Sequence, residues 1–436
     1  MKRRVELLLA SILVFGAQRG ICATLEKVAV EGDPSPDMGA YRRKFRQPAV
    51  SDAVGQHVAG SARIFANRTC LVKFDPGPGP DSLIVCRKDL SPEGHEFGTL
   101  GDPTINVAGD AAYTAKLTAG RSGVFRGGTS IVALTGDPSP AGPGFFKKFS
   151  STALITDAGD VVFEAFISGG AVVGGVSIDR GYFRCGGGDG NCSTGGTGTI
   201  ETLVLKNDLV PDRPGRKLCD LKAVGASIFG TAFLAPTKLD CASAMETPLL
   251  GVFRKPFGGA ITTLALQGEP SNPVLPPGGT TYANLVGAPA ISSTGIVAFR
   301  GFTAGLLTHD ILYLCDPATC PVSPAQVAVE EGDSDGMTSF FVRLSTPAMS
   351  DVADIAFEAR VQDGQRASGI YIRRAAGGTI DTVARTNDVA PSISPTTQFS
   401  TFNAPSMSPS GKVAFHTRLR PLGSSSIPHE GIFLFE

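Results

Sequence analysis

The chain has 436 residues, and 39 Lys and Arg residues balance 40 Asp and Glu residues, so its formal net charge is -1. This balance argues against binding to nucleic acid or anionic lipid through bulk charge. Hydrophobic residues make up 42% of the chain and charged residues 18%, which is enough apolar material for a core. The 54 Gly and 31 Pro residues favour short elements joined by tight turns.

The N-terminus has the layout of a secretory signal peptide. Lys2, Arg3 and Arg4 precede an apolar run at positions 7–15, and small residues follow near Ala23. We predict residues 1–23 as a signal peptide that is cleaved after Ala23, so the mature chain is secreted or periplasmic. Twin-arginine export and lipidation of Cys22 are weaker alternatives, because their flanking residues are missing or too bulky. No later stretch is long and apolar enough to predict a membrane span.

A sequence unit is repeated along the mature chain. Its first half is an apolar strand that ends in Gly-Asp, Asn-Asp or a variant of these turns. The copies begin at Val28, Val85, Val132, Leu203, Leu264, Val327 and Val383. Their acidic turn residues are Asp33, Asp89, Asp137, Asp208, Glu269, Asp333 and Asp388. The Gly or Asn before the acid tolerates the positive φ of a tight turn.

The second half of the unit is a turn followed by a strand of the form Val-Ala-Phe. Clear copies are Ile105–Tyr113, Ile155–Phe163, Ile291–Phe299, Met349–Phe357 with Ala353 in the Gly place, and Met407–Phe415. We align two divergent copies as Val50–Ala59, with an extra residue, and Leu221–Phe229, with Lys222 in the Asn place. Five intervals of about 60 residues separate Tyr113 from Phe415. A third strand of the form Gly-Val-Phe follows at Gly123, Gly251, Gly369 and Gly431.

Seven units of about four short strands predict an all-β protein. A four-stranded sheet cannot bury both of its faces alone, so the copies must stack on one another, and radial stacking gives a β-propeller. We predict a single seven-bladed propeller over residues 24–436, with six or eight blades as alternatives. The mature chain begins with a fourth-strand copy, Leu25–Val30, and ends with a third-strand copy, Gly431–Glu436. Pairing of these two segments would complete the last blade and close the ring.

Eight cysteines remain after removal of the signal peptide: Cys70, Cys86, Cys185, Cys192, Cys219, Cys241, Cys315 and Cys320. An even number in an exported chain predicts disulfides, and proximity favours pairing in sequential order. Zinc is disfavoured because the spacings lack the usual Cys-x2-Cys and His partners. The pairs fall in four insertions, Cys70–Cys86, Ser168–Thr199, Leu209–Thr247 and Thr303–Ser323. We expect these insertions to form stiffened loops on one face.

The stretch Asn106–Tyr113 resembles the core of a family of secreted bacterial proteins named for tandem Asn-x-x-Gly-x-x-Ala-Phe repeats. The resemblance runs through all seven units, although the other units replace the Asn. It implies an exported propeller. The activity of that family is not established, so the resemblance implies no chemistry.

The seven acidic turn residues would form a ring on one face of a propeller. A calcium or other cation site is one interpretation. We favour a structural one, in which each carboxylate accepts hydrogen bonds from nearby backbone N–H groups. The triplet Gly332-Asp333-Ser334 is then one of these turns, not a hydrolase motif. The glycines at 186–190 lack the Lys and the helix of a phosphate-binding loop, so they predict a loop clipped by Cys185 and Cys192.

The five histidines show no metal-ligand spacing: His57, His95, His309, His416 and His429. We expect His416, which follows a Val-Ala-Phe unit, to be structural. The absence of Trp weakens a role in stacking on sugars.

These patterns predict a binding or scaffold module for a protein or glycan at the cell surface, with no catalytic residue, cofactor or metal assigned. The alternative is a propeller hydrolase or lyase with its site at the central channel. A cluster of acids and bases with perturbed pKa values at the axis would favour the enzyme, and a channel mouth lined by repeat residues would favour binding.

Overall fold

A computed structural model of the chain describes residues 24–37, 39–42, 44–52, 58–64, 68–75, 80–128, 130–173, 175–186, 192, 198–271, 281–304, 308–316, 319–320, 325–362, 367–421 and 429–436. These residues form a seven-bladed β-propeller of small antiparallel sheets, as predicted. His57 and the glycines at 187–190, which the sequence singled out, lie outside the described residues.

The first three blades follow chain order after the N-terminal strand β1 (Leu25–Val30). Blade 1 contains β2 (Ala49–Val50), β3 (Val58–Arg63), β4 (Thr69–Phe74) and β5 (Ser82–Cys86). Blade 2 contains β6 (Phe97–Leu100), β7 (Thr104–Ile105), β8 (Ala111–Leu117), β9 (Ser122–Arg126) and β10 (Ser130–Leu134). Blade 3 contains β11 (Phe145–Ile155), β12 (Val161–Ser168), β15 (Arg180–Gly186) and β16 (Thr199–Leu205), with β13 (Val172–Val173) and β14 (Val176–Ser177) as a separate hairpin.

The remaining blades repeat the same plan. Blade 4 contains β17 (Lys217–Leu218), β18 (Ala223–Ala226), β19 (Gly230–Lys238), β20 (Leu249–Pro256) and β21 (Thr262–Leu266). Blade 5 contains β22 (Thr281–Ile291), β23 (Val297–Ala304), β24 (Asp310–Cys315) and β25 (Gln326–Glu330). Blade 6 contains β26 (Phe340–Leu344), β27 (Ala348–Met349), β28 (Ile355–Gln362), β29 (Ser368–Arg373) and β30 (Ile380–Arg385). Blade 7 contains β31 (Thr397–Phe402), β32 (Ser406–Met407), β33 (Val413–Pro421), β34 (His429–Phe435) and β1.

The first strand of each blade lies at the axis of the propeller. In blades 2, 4, 6 and 7 this strand is interrupted, so that two short segments pair with the same second strand. Inner strand segments of neighbouring blades contact one another around the axis. Strand β2 of blade 1 contacts β7 of blade 2 and β32 of blade 7, β27 of blade 6 contacts β32 and β22 of blades 7 and 5, and β18 of blade 4 contacts β22 and β11 of blades 5 and 3. The fourth strand therefore lies at the rim. The turns that connect the fourth strand of one blade to the first strand of the next lie on one face of the propeller, which we call the turn face. We call the other face the opposite face.

The core of each blade is built on aromatic rings. Among the described residues, six blades stack a ring of the second strand on a ring of the third, with centroids 5.3–5.9 Å apart. The pairs are Tyr113–Phe125, Phe163–Phe183, Phe233–Phe253, Phe299–Tyr313, Phe357–Tyr371 and Phe415–Phe433. Each such pair contributes about 0.5–1.5 kcal/mol beyond the area that it buries. The Phe of each Val-Ala-Phe unit is thus the centre of its blade.

The sequence alignment of the fourth unit was wrong. The ring that stacks on Phe253 belongs to Phe233, not to Phe229. The hairpin turn of this blade is Ser227–Gly230, closed by a 3.3 Å bond from the Gly230 N–H to the Ser227 carbonyl. The turn between the paired residues Ala226 and Thr231 is one residue shorter than the turn between Ile155 and Val161 in blade 3. In this blade Thr231-Ala232-Phe233 stands in the place of Val-Ala-Phe.

The ring closes as predicted, through strands from the two ends of the chain. Strand β1 pairs antiparallel with β34, with Leu25 opposite Phe435 and Val30 opposite Gly431. Ala29 and Val30 are 1% and 7% exposed, so this strand belongs to the core. Blade 7 therefore obtains its fourth strand from the N-terminal segment.

The four predicted disulfides form in sequential order, Cys70–Cys86, Cys185–Cys192, Cys219–Cys241 and Cys315–Cys320. The expectation that they stiffen loops on one face is wrong. Cys70–Cys86 and Cys219–Cys241 lie toward the turn face, whereas the other two follow third strands on the opposite face. Cys70 begins the third strand of blade 1 and Cys86 ends the fourth, so their disulfide bridges the open end of the third-to-fourth hairpin. Cys241 follows a second strand, whereas Cys185 and Cys315 end third strands, and the ends of second and third strands lie on different faces.

Replacement of Val30 with Asp tests the closure. We expect V30D to lower the free energy of unfolding by roughly 3 kcal/mol, because it places an unpaired charge in the core of blade 7. Denaturant unfolding measures the change. The matched control is Glu26→Ala on the exposed side of β1, with an expected change of about 0.5 kcal/mol or less. Equal stability of V30D and the wild-type protein would show that β1 is not docked.

Candidate functional site

A ring of apolar side chains, one from each blade, surrounds the axis near the opposite face. These residues end the inner strands: Val50, Ile105, Ile155, Ala226, Ile291, Met349 and Met407. The ring lies between a small cavity of about 140 Å³ on the opposite side and a larger one of about 670 Å³ toward the turn face. We call the larger one the axial cavity.

Three carboxylates lie at the channel mouth on the opposite face. Asp52, Asp157 and Asp351 occupy the same position in their blades, and each accepts a bond from a backbone N–H of the preceding blade. Asp157 accepts from Val107 at 3.1 Å, and burial raises the pKa of its carboxyl. In the part of the chain that the structure describes, no three His, Cys, Asp or Glu residues are grouped to hold a metal. These carboxylates join neighbouring blades.

The predicted acidic turn residues lie at the rim of the turn face, after the outermost strands. Six of their carboxylates accept a bond from the backbone N–H three residues earlier, at 2.7–2.9 Å: Asp33, Asp89, Asp137, Asp208, Asp333 and Asp388. Glu269 instead pairs with Arg213 at 2.8 Å. These contacts support the proposal that the acidic turn residues stabilise their own turns. Binding of a cation by the ring of seven acidic residues stays a prediction.

A position that the sequence did not reveal is the one directly after the aromatic residue of the second strand. It holds a different residue in each blade, Ser61, Thr114, Glu164, Leu234, Arg300, Glu358 and His416. Repeat residues form the scaffold, so variation at a fixed place indicates a role outside it. The usable signal was the residue after the Val-Ala-Phe position, which is polar in every blade except blade 4 and lies just beyond the aligned unit.

In blades 3, 5 and 7 this residue pairs with the first residues of the third strand. The pairs are Glu164 with Arg180, Arg300 with Asp310, and His416 with Glu430. One member of each pair also reaches the following blade: Arg180 donates to Asp220 at 2.6 Å, Asp310 accepts from the Leu344 N–H at 2.8 Å, and Glu430 accepts from the Lys44 N–H at 2.8 Å. These pairs therefore link blade 3 to 4, 5 to 6 and 7 to 1.

His416 is buried in the link between blades 7 and 1. Its Nδ1 lies 2.9 Å from the amide nitrogen of Asn403, and its Nε2 lies 3.7 Å from a carboxylate oxygen of Glu430. Burial lowers the pKa of His416 below its ordinary value, although Glu430 opposes this effect. The side chain borders a cavity of about 500 Å³, the seam cavity, which Lys44, Arg46 and Arg418 also line.

Positive charge collects in another cavity of about 560 Å³ at blades 1 to 3, the basic cavity. Its walls include Arg46, Lys116, Lys148 and Arg180 against one carboxylate, Glu164, which Arg180 already contacts. Hydroxyl groups of Thr99, Ser122, Ser150 and Ser151 line the same walls. Burial raises the pKa of Glu164, and Arg180 opposes that shift. The cavity is therefore cationic in a chain whose overall charge is -1.

The aromatic ring of Phe166 supports two of these cations. The guanidinium carbon of Arg180 lies 4.8 Å from the ring centroid, and Nζ of Lys148 lies 5.7 Å from it. Such contacts orient the two cations over the ring. Nε and Nη1 of Arg180 already donate to Glu164 and Asp220, so the ammonium of Lys148 is the better placed of the two to contact a ligand. The sequence analysis did not predict Lys148 or Arg180 as site residues, because they occur in different strands of blade 3 and lie outside the repeat motif.

His416 makes stability depend on pH. Its pKa is lower in the folded than in the unfolded protein, so the unfolded state takes up the proton first and stability falls as pH drops below about 6.5. Urea unfolding at pH 7.5, 6.5 and 5.5 measures this loss, and H416N should have a shallower dependence on pH than the wild type. The same slope in both proteins would exclude His416 as the cause.

Solved structures with a similar fold have little sequence similarity to this chain. A protein of unknown function from Dyadobacter fermentans is 11% identical, with a TM-score of 0.37 and coverage of 94% of this chain and 99% of its own. An oligogalacturonate lyase in complex with manganese is 10% identical, with a TM-score of 0.48 and coverage of 95% and 97%. A putative TolB from Agrobacterium tumefaciens is 14% identical, with a TM-score of 0.32 and coverage of 70% and 84%. At these values no property of these proteins is transferred to this chain.

No curated protein matches the sequence. A family model described as a family of unknown function, DUF7453, matches residues 24–191 and 231–436. The gap between the two matches contains the fourth strand of blade 3 and the start of blade 4 with its shortened turn. The narrower resemblance to the Asn-x-x-Gly-x-x-Ala-Phe repeat family stays a prediction. Since the match spans most of the sequence, the chain belongs to the DUF7453 family of unknown function.

Proposed function

We propose that this protein is an exported binding module and that it binds an anionic glycan at the cell surface. The observation that carries the proposal is the convergence of Arg46, Lys116, Lys148 and Arg180 on the basic cavity. Among the described residues that line the cavity, Glu164 is the one carboxylate, and Arg180 contacts it. Asp220 and Asp102 pair with Arg180 and Arg46 from outside this lining, so Lys116 and Lys148 supply most of the excess positive charge. A concave site with this excess of positive charge favours a ligand with carboxylate or sulfate groups.

The lining of the cavity favours a glycan over a protein. Serine and threonine hydroxyls line the same walls as the cations, which suits a ligand that carries both hydroxyl and anionic groups. A protein partner usually needs an interface of about 800 Å² per side with central aromatic anchors. The chain contains no Trp, and Lys148 and Arg180 lie over the Phe166 ring in the cavity, so charge and hydrogen bonds are the main contacts that the site offers a sugar.

Export is supported by two independent features. The N-terminal sequence has the layout of a signal peptide, and the structure contains four disulfides, which persist in oxidising compartments. Across the described residues there is no helix with the length and hydropathy of a membrane span. A secreted or periplasmic location follows from the first two features as part of the proposal.

The second candidate is a hydrolase or lyase that acts at the channel. It is favoured by Glu164, a buried carboxyl with a raised pKa in the wall shared by the basic and axial cavities. Chromatography of an acidic oligosaccharide after incubation with the protein tests this candidate. Products that form with the wild-type protein and disappear with Glu164→Gln would favour the enzyme, and an unchanged oligosaccharide would favour binding alone.

Replacement of Lys148 with Ala tests the binding site. We expect K148A to bind a mannuronate hexamer about tenfold more weakly, because it removes one charge-assisted contact of about 1.4 kcal/mol. Calorimetric titration measures the affinity. The matched control is Lys147→Ala, since Lys147 is the neighbouring exposed lysine of β11 and does not line the cavity. Equal weakening by both variants, or equal binding of a neutral glucose hexamer, would contradict the proposal.

A further inference from the structure

Three cavities on the turn-face side of the propeller are connected by shared residues. The basic and axial cavities share Ser150, Ser151 and Glu164. The basic and seam cavities share Arg46. These shared lining residues place the cavities side by side, in a row that extends from blade 3 across blades 2 and 1 to blade 7, over the seam where the ring closes.

Cations lie at both ends of this space. Lys116 and Lys148 line the basic cavity, whereas Lys44 and Arg418 line the seam cavity. Arg46 lies between them with a side chain that is 55% exposed, and its partner Asp102 is 3.4 Å away and also exposed. Exposed pairs of this kind contribute little energy, so Arg46 can exchange Asp102 for a ligand anion.

The carboxylate in the seam cavity is already used by the protein. Glu430 accepts the Lys44 N–H at 2.8 Å and faces Nε2 of His416 at 3.7 Å. Its nearest approach to the Arg418 guanidinium is longer, 4.0 Å, and the Arg418 side chain is exposed. The Lys44 and Arg418 side chains therefore remain directed to solvent as sites for a second anionic group.

We infer that the ligand is a linear acidic polysaccharide that lies along the groove from the basic cavity, past Arg46, to the seam cavity. This inference rests on the proposed function. The two cavities, of about 560 and 500 Å³, are each the size of a site for one small ligand. A compact anion would occupy one of them, whereas a chain with an anionic group on each unit contacts both sets of cations.

The dependence of affinity on ligand length tests the inference. Calorimetric titrations with mannuronate dimers, tetramers and hexamers are compared for the wild type, R418A and K148A, with R420A and K147A as matched controls. We expect the hexamer to bind about tenfold or more tightly than the dimer, because the second cavity is filled without a second loss of translational freedom. R418A should weaken hexamer binding about tenfold and leave dimer binding unchanged, whereas K148A should weaken both.

The outcomes separate this inference from the proposed function. A dimer that binds as tightly as the hexamer, with R418A equal to the wild type, would overturn the extended groove and leave the basic cavity as the site. Loss of hexamer binding in R420A equal to that in R418A would also overturn it. No binding at any length would overturn both proposals. Binding of a glutamate hexapeptide as tight as that of the mannuronate hexamer would overturn the glycan class and indicate an acidic peptide.

Discussion

The pairing of β1 with β34 is the contact on which the rest of the structure depends. Each blade buries its aromatic rings against the next, so a propeller without a complete last blade would expose the core of blade 7 and the edge of β34. The same seam is held near the axis by Asp52, which accepts bonds from Ser408 Oγ at 2.6 Å and from the Ser410 N–H. Closure thus joins blades 7 and 1 both at the rim and at the axis.

Structural and functional positions are separated within each blade. Residues that recur, such as the stacked rings and the acidic turn residues, satisfy needs of the blade itself. Residues that differ from blade to blade lie beside the first strand and supply the charges of the cavities, as Glu164 and Arg180 do in blade 3. The two ends of the axis consequently differ in charge, with cations beside the axial cavity and the carboxylates of Asp52, Asp157 and Asp351 at the opposite mouth.

The sequence predicted those parts of the fold that are determined by residues close together in the chain. Short segments sufficed for this, namely the Gly-Asp turns, the Val-Ala-Phe strands and the closely spaced cysteine pairs. These segments predicted the repeat, the closure of the ring and the disulfides. The fourth unit was misaligned because its turn is one residue shorter and Thr231 replaces the Val of the motif, while Leu221 and Phe229 imitate the apolar spacing of the other units. The basic cavity was not predicted because Arg46 and Arg180 are far apart in the sequence and line one cavity only when blades 1 to 3 are packed side by side.

Amide hydrogen exchange followed by mass spectrometry tests the closed ring most directly. If β1 is the fourth strand of blade 7, its amides and those of β34 are protected together, to the same degree as those of the interior strand β33. Rapid exchange throughout residues 25–30, with β33 still protected, would mean that the N-terminal segment does not pair with the last blade and that the ring is open.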